Sequence, residues 1–157
     1  MLSEKAQKQI DQWLVKYPAD QKQSAVIPAL HIVQDENGGW LTEALMNDVA
    51  DYLGMPHIAV YEVATFYSMF ELEPVGRHKI SICTNISCML RDSQKMVDHL
   101  KKRLGIDFEQ TTPDGKFTLK KAECLAACAT APVMQINRKY YENLTEEAID
   151  HILTSLE

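Results

Sequence analysis

The chain has 157 residues, a formal net charge of -6 and 46% hydrophobic residues, apolar content enough for one ordinary domain or two small ones. No apolar run approaches the ~20 residues of a membrane-spanning helix, which predicts no direct membrane insertion, and an acidic chain without a concentrated basic run predicts no nucleic-acid partner. The polar start MLSEKAQKQIDQWL matches neither a secretory signal nor an arginine-rich transit peptide, so a reducing compartment is expected, where structural disulfides are unusual.

Charge is spread unevenly. Residues 1–74 hold four lysines and eleven acids, a balance of -7, whereas residues 75–157 hold twelve Lys or Arg and eleven acids, a balance of +1. The change falls at LEPVG, residues 72–76, which has the Pro and Gly of a connector. Two domains are predicted, 1–74 and 75–157.

The first half reads as helical. Ala6, Ile10, Trp13, Leu14 and Tyr17 recur at three- and four-residue steps, with Ser3 as a cap and Pro18 as a stop. Ala25, Val26, Ala29, Leu30 and Val33 form a second stripe between Gln21 and Asn37, in which Pro28 should kink the helix or mark its true beginning. Gly38-Gly39 supplies a left-handed stop. Thr42 caps a third helix with Leu45, Met46, Val49 and Leu53 on one face and Gly54 after it. Pro56 suits the first turn of a fourth, which carries VYEVATFYSMF. There Val63, Phe66, Tyr67 and Phe70 stand at core spacing and are expected mostly in the bundle interior rather than on a docking surface. Met69 and Phe70 precede the connector and are candidates for packing between the domains.

The second half changes period. HKISIC (78–83) alternates and predicts a strand ending at Cys83; Met89, Leu90, Met96, Val97, Leu100 and Leu104 predict a helix that Gly105 ends. TPDG (112–115) is a turn and FTLKKA (117–122) a second strand leading towards Cys124. VMQIN and KYY are two further short strands, and Thr145 caps a last helix with Ile149, Ile152, Leu153 and Leu156 on one face.

All four cysteines lie in two short brackets, C-x4-C at Cys83 and Cys88 and C-x3-C at Cys124 and Cys128. Each bracket follows a predicted strand, so four sulfurs converge at one sheet edge if those strands are neighbours. Four thiolates suit a 2Fe-2S cluster, two on each iron with loop amides turned towards the sulfurs. They equally suit structural zinc, although two-residue gaps are commoner there. An iron-sulfur carrier and a zinc-stapled interaction module both remain open on spacing. There is no CxxC for thioredoxin-type exchange, and the five scattered histidines supply no Rieske pair; His78 reads as an ordinary strand or surface residue. An anionic cluster needs positive company, for which Lys79, Arg91, Lys120, Lys121 and the start of the helix after Cys88 are candidates. No phosphate loop, activated nucleophile or strand-linked GxGxxG is present, so the chain is expected to bind neither NADH nor flavin alone and to have no catalytic residue.

The stretches VYEVATFYSMF, KISICTNISCMLRDS, TPDGKF and KKAECLAACATAPVMQIN, in this order and spacing, resemble the family of the small 2Fe-2S subunit of respiratory NADH:quinone oxidoreductase (complex I), over nearly the whole chain. The resemblance implies an α+β protein, an N-terminal helical bundle followed by a thioredoxin-like α/β domain. It implies one 2Fe-2S cluster held by Cys83, Cys88, Cys124 and Cys128. It also implies a non-catalytic electron-carrier subunit whose partner is the flavin- and NADH-binding subunit, the holder of FMN and NADH. The expected location is peripheral, on the cytoplasmic side of a bacterial inner membrane. Related subunits serve NAD-linked hydrogenases and formate dehydrogenases, which leaves the assembly open. Two positions depart from the family pattern: Ala126 stands where glycine is frequent, and Asp92 follows Arg91 where glycine is common. With alanine at 126 a glycine-only conformation is not expected there, and the changes should shift potential or loop order modestly without loss of the cluster.

Overall fold

The computed structural model describes residues 1–156, and the chain divides into two compact units, Met1–Pro74 and Val75–Glu157. The first is all helical. Helix α1 (Glu4–Leu14) begins where the Ser3 hydroxyl accepts the Ala6 amide at 2.9 Å. It stops at Leu14, before the turn that would have carried Tyr17. A single 3-10 turn, Lys22–Ala25, leads into α2 (Val26–Glu36). Pro28 lies in the first turn of α2, where an absent N–H has no intrahelical partner to lose, so it marks the beginning of the helix and no kink. Helix α3 (Glu43–Leu53) is capped by Thr42, whose hydroxyl accepts the Leu45 amide at 3.1 Å, and is ended by Gly54 at φ 68°. Pro56 immediately precedes α4 (His57–Phe66).

Ile10, Leu30, Val33, Leu41, Val49 and Val60 fill the core of this unit. Two polar residues of this unit, Gln34 and Glu71, are also buried. Gln34 accepts the Glu71 amide at 2.8 Å and donates to the Met69 carbonyl at 3.2 Å, which fastens the segment after α4 to α2. Phe70 is buried in this unit's own core, with Met69 packed against it. Phe66 is 78% exposed and Tyr67 is also exposed, contrary to the expectation of an interior position. Phe66 is the last residue of α4 and lies on its exposed side, and Tyr67 is already extended, where spacing at 3.6 residues per turn no longer assigns a face.

The second unit is built on a five-stranded sheet of order β2-β3-β1-β4-β5. Strand β1 (His78–Cys83) runs parallel to β3 (Phe117–Ala122) and antiparallel to β4 (Met134–Ile136). At the edges, β2 (Gln110–Thr111) pairs with β3 and β5 (Lys139–Tyr141) with β4. Ile80, Ile82, Leu119, Met134 and Ile136 of the sheet share one core with residues of two helices, α6 (Ser93–Leu104) and α7 (Glu146–Ser155). The N–H of Gly76 meets the Thr118 hydroxyl at 2.6 Å, and a Cβ there would stand 2.9 Å from the carbonyl carbons of Lys116 and Phe117. Only glycine fits that approach.

The helix expected from Met89 is in fact two pieces. A single turn, α5 (Ile86–Met89), is separated from α6 by Asp92 at φ 62°. Met89 and Leu90 therefore leave the periodic face and are exposed. The two-residue β2 has no hydrophobic alternation by which it could be foreseen. Together the units form the expected α+β arrangement of helical bundle and α/β domain. Among the described residues no helix is long and apolar enough to cross a membrane.

Candidate metal centre

The parallel pairing of β1 and β3 decides where the brackets meet. Cys83 is the last residue of β1 and lies opposite Ala122, the last residue of β3. Both cysteine loops therefore start at the same end of the sheet. The Thr84 amide donates to the Ala122 carbonyl at 3.1 Å and the Cys83 amide to the Val133 carbonyl at 3.1 Å, tying the first loop to both neighbouring strand ends. Asn85 caps the single turn α5 by accepting the Ile86 amide at 2.7 Å, and that turn brings Cys88 back to hydrogen-bond with Cys83.

Cys83 and Cys88 are 3% and 1% exposed. They form a small apolar cluster with Ala131 and Val133, apart from the main core, and Leu125 and Ala127 of the second bracket pack against it. Cys124 and Cys128 are exposed, and all four thiols are free. Burial first, then the hydrogen bond with Cys83 and the negative charges of Cys83 and Cys128, push the Cys88 thiol up to about 11; the Val133 amide acts in the opposite direction. Binding of a metal centre there displaces that proton.

Ala126 stands at φ 56°, in the left-handed region that favours glycine. The expectation that no such conformation is required at this position is corrected. Its amide donates to Cys124 Sγ at 3.3 Å, so the left-handed turn places an N–H on a sulfur within the bracket. For an L-residue that geometry costs about 1–2 kcal/mol. Asp92, the other departure, is left-handed for a different reason: it separates α5 from α6.

The anticipated cations are less available than their types suggest. Lys120 is paired with Glu109, and Lys121 with Glu123 at 3.0 Å. Lys79 precedes Cys83 by four strand residues, roughly 13 Å along an extended chain. Arg91 lies between α5 and α6, its amide donating to the Cys88 carbonyl at 3.0 Å, and α6 begins only at Ser93. Two backbone amides, Ala126 and Val133, touch sulfur instead. Sequence reasoning misses both, because a backbone donor has no side-chain signature.

Among the described residues no three or more His, Cys, Asp or Glu side chains are gathered as a single ion would require. A 2Fe-2S cluster makes a different demand, two thiolates on each iron. Four free thiols on two adjoining loops, with amides on two of the sulfurs, fit that group in donor type and number.

A helical bundle joined to a mixed sheet that ends in two cysteine loops defines the class. The chain belongs to the thioredoxin-like [2Fe-2S] ferredoxin family, whose sequence model matches residues 10–157. It is 47% identical over 142 residues to an NADH-quinone oxidoreductase subunit of Rickettsia conorii, covering 90% of this chain and 85% of that one. It is 42% identical over 147 residues to the mitochondrial NADH dehydrogenase [ubiquinone] flavoprotein 2 of Dictyostelium discoideum, covering 94% of this chain and 60% of that one. An NAD+-reducing [NiFe]-hydrogenase in the H2-reduced state superposes with a TM-score of 0.72 at 20% identity, over 83% of this chain and 22% of the hydrogenase chain. That likeness shows a shared fold.

Proposed function

We propose that Cys83, Cys88, Cys124 and Cys128 hold one 2Fe-2S cluster within domain 75–157, and that the chain is an electron-carrying subunit of an NADH-quinone oxidoreductase. The helical domain 1–74 is a separate part of the same subunit. In this reading the chain takes up one electron from the flavin of a partner subunit that binds FMN and NADH. It works at the cytoplasmic side of a bacterial inner membrane as a peripheral part of the complex. The observation that carries the reading is the proximity of the two brackets: Leu125 and Ala127 pack on the Cys83–Cys88 pair, and the Cys128 charge acts on Cys88. Identity of 47% across 90% of the chain to a subunit of NADH-quinone oxidoreductase supports the choice of complex.

When bound, the cluster supplies one-electron storage. The chain's own residues do the rest. Four sulfurs anchor the irons, Ala131 and Val133 keep water from the inner pair, and the Ala126 and Val133 amides oppose negative charge on Cys124 and Cys88. No residue of the chain is assigned to bond making or breaking.

The test is metal and acid-labile sulfide analysis of the purified full chain, with an EPR spectrum after dithionite. Equal iron and sulfide with a reduced-state signal is the expected result. Zinc without sulfide would overturn it in favour of a zinc-stapled interaction module. Co-purification from the native host then tests the complex: a flavoprotein partner is expected, and its absence would remove the subunit assignment while leaving the cluster.

A further inference from the structure

At the end of the sheet away from the cysteines lies a cavity of about 470 Å³, bounded by the last turns of α6 and α7 and by the turn that leads into β3. Strands β1 and β3 run parallel, so His78 and Phe117 open them here while Cys83 and Ala122 close them at the far end, roughly 17 Å away at about 3.3 Å per residue. A volume of this order takes a small organic molecule. The apolar part of the lining is Leu104, Phe117 and Leu153, the last two buried. The charged part is two cations, Arg103 and Lys116, and one acid, Asp114.

The walls are set before any ligand arrives. The Thr112 hydroxyl accepts the amides of Lys116 at 3.3 Å and Phe117 at 3.0 Å, and the Gly115 amide donates to the Thr112 carbonyl at 2.8 Å, which closes the TPDG turn. Arg103 gives its Nε to Asp150 at 3.0 Å, and the same carboxylate meets His99 at 2.9 Å, so the arginine is braced across α6 and α7. A guanidinium carries further N–H donors on its two terminal nitrogens. Asp114 is engaged within its own turn, where it accepts the Thr112 hydroxyl and the Lys116 amide, and these bonds hold its carboxyl below the usual range. The positive field reaches beyond the cavity: burial first, then the charges of Arg77 and Lys116, lower the pKa of His78, whose ring lies 5.4 Å from that of Phe117. Two positive charges against one negative leave room for a single anionic group. A phosphate or a dicarboxylate would set a second negative charge against Asp114, and like charges placed together are disfavoured. From this balance and the apolar lining we infer that the cavity binds an amphipathic monocarboxylate, one carboxylate on an aliphatic body. Arg103 and Lys116 hold the head by charge-assisted hydrogen bonds, and Leu104, Phe117 and Leu153 take the tail. The site is independent of the cysteine loops, and its occupation changes no bond and moves no electron.

The test is an amide-correlation NMR titration of the full chain with octanoate. Saturable shifts are expected at the amides of Lys116, Phe117 and Leu153. Affinity should fall by about tenfold in Arg103→Gln and in Lys116→Gln, each of which removes one charged hydrogen bond, and should be kept in Lys116→Arg. Octanol has the tail without the charge, and inorganic phosphate has charge without the tail; each is expected to bind about tenfold or more weakly than octanoate on the same grounds. Circular dichroism checks the fold of the variants, and if one does not fold, the three-ligand series on the wild-type chain decides alone. Shifts that never saturate, octanol or phosphate binding as tightly as octanoate, or affinity unmoved by both glutamine substitutions overturns the inference. None of these outcomes touches the 2Fe-2S reading, which iron and sulfide analysis tests separately.

Discussion

The helical unit and the sheet unit treat left-handed backbone differently. In Met1–Pro74 the positive-φ positions among the described residues are Gly38, Gly39 and Gly54, where the conformation costs little. In the sheet unit they include Asp92, Glu109, Ala126, Asn137 and Asn143, all of which carry a side chain. Ala126 lies inside a cysteine bracket and Asp92 just beyond the other. The cores differ in the same sense. The helical unit has one apolar cluster, whereas the sheet unit has a main core and a separate small one around Cys83 and Cys88. The lesson is that the site is attached to the fold and does not constitute it, with its strain stored in loops that the core holds in place.

That separation can be broken most sharply at a cysteine. Cys88→Ala, which leaves no donor atom at that position, is expected to abolish iron and sulfide incorporation while the far-UV circular dichroism of the cluster-free chain stays unchanged; collapse of the secondary structure would show that the small cluster is part of the fold after all. In the helical unit the converse is expected. Leu30→Ala should destabilise that unit by about 2–5 kcal/mol in urea unfolding, with the line shape of the dithionite-reduced EPR signal preserved. Gly76→Ala forces a methyl into backbone carbons of Lys116 and Phe117 and should cost about 1–3 kcal/mol, read as a lower melting temperature of the sheet unit.

Smaller effects sharpen the comparison. Ala126→Gly relieves a left-handed alanine against some loss of backbone entropy and should stabilise by about 0.5–1 kcal/mol, measurable by calorimetry of the cluster-free chain; destabilisation would mean that the methyl packs usefully. The smallest effect concerns Asp150 on α7, whose carboxylate meets His99 at 2.9 Å and Arg103 at 3.0 Å, both on α6. The His99 hydrogen bond, followed by the charges of His99 and Arg103, holds the carboxyl below its usual range. A depressed acid stabilises the folded state above its unfolded pKa of ~3.9 and loses that contribution as pH falls through its lower folded value. Asp150→Asn should therefore remove a small contribution at neutral pH, small because the carboxylate is exposed, and make the fall of stability below about pH 4 shallower.

Much of the fold is legible in the sequence because local chemistry and tertiary structure agree. Ser3, Thr42 and Thr145 each cap the helix they precede, and Gly54 and Gly105 end theirs left-handed. Alternation in HKISIC and FTLKKA marks the two central strands. The failures share one cause. Periodicity assigns a face only while the helix continues. Extended past Phe66 and back through Asp92, it gives Tyr67, Met89 and Leu90 interior or helical places they do not have, whereas Phe66, still within α4, lies on the exposed side of its last turn. At the site the cysteines are conspicuous in sequence, while the amide donors and the left-handed Ala126 are not.

The sequence by itself determined the thiol inventory, the helix caps, the core stripes and the membership of a family whose pattern these residues match, because each depends on residue type and on spacing within a few turns of chain. Only the tertiary structure decided that β3 lies parallel beside β1, that one cysteine pair is sealed under Ala131 and Val133 while the other meets solvent, and that the nearby lysines are already engaged by Glu109 and Glu123. Those outcomes depend on segments far apart in the chain arriving side by side, and burial, pairing and solvent access exist only after they have done so.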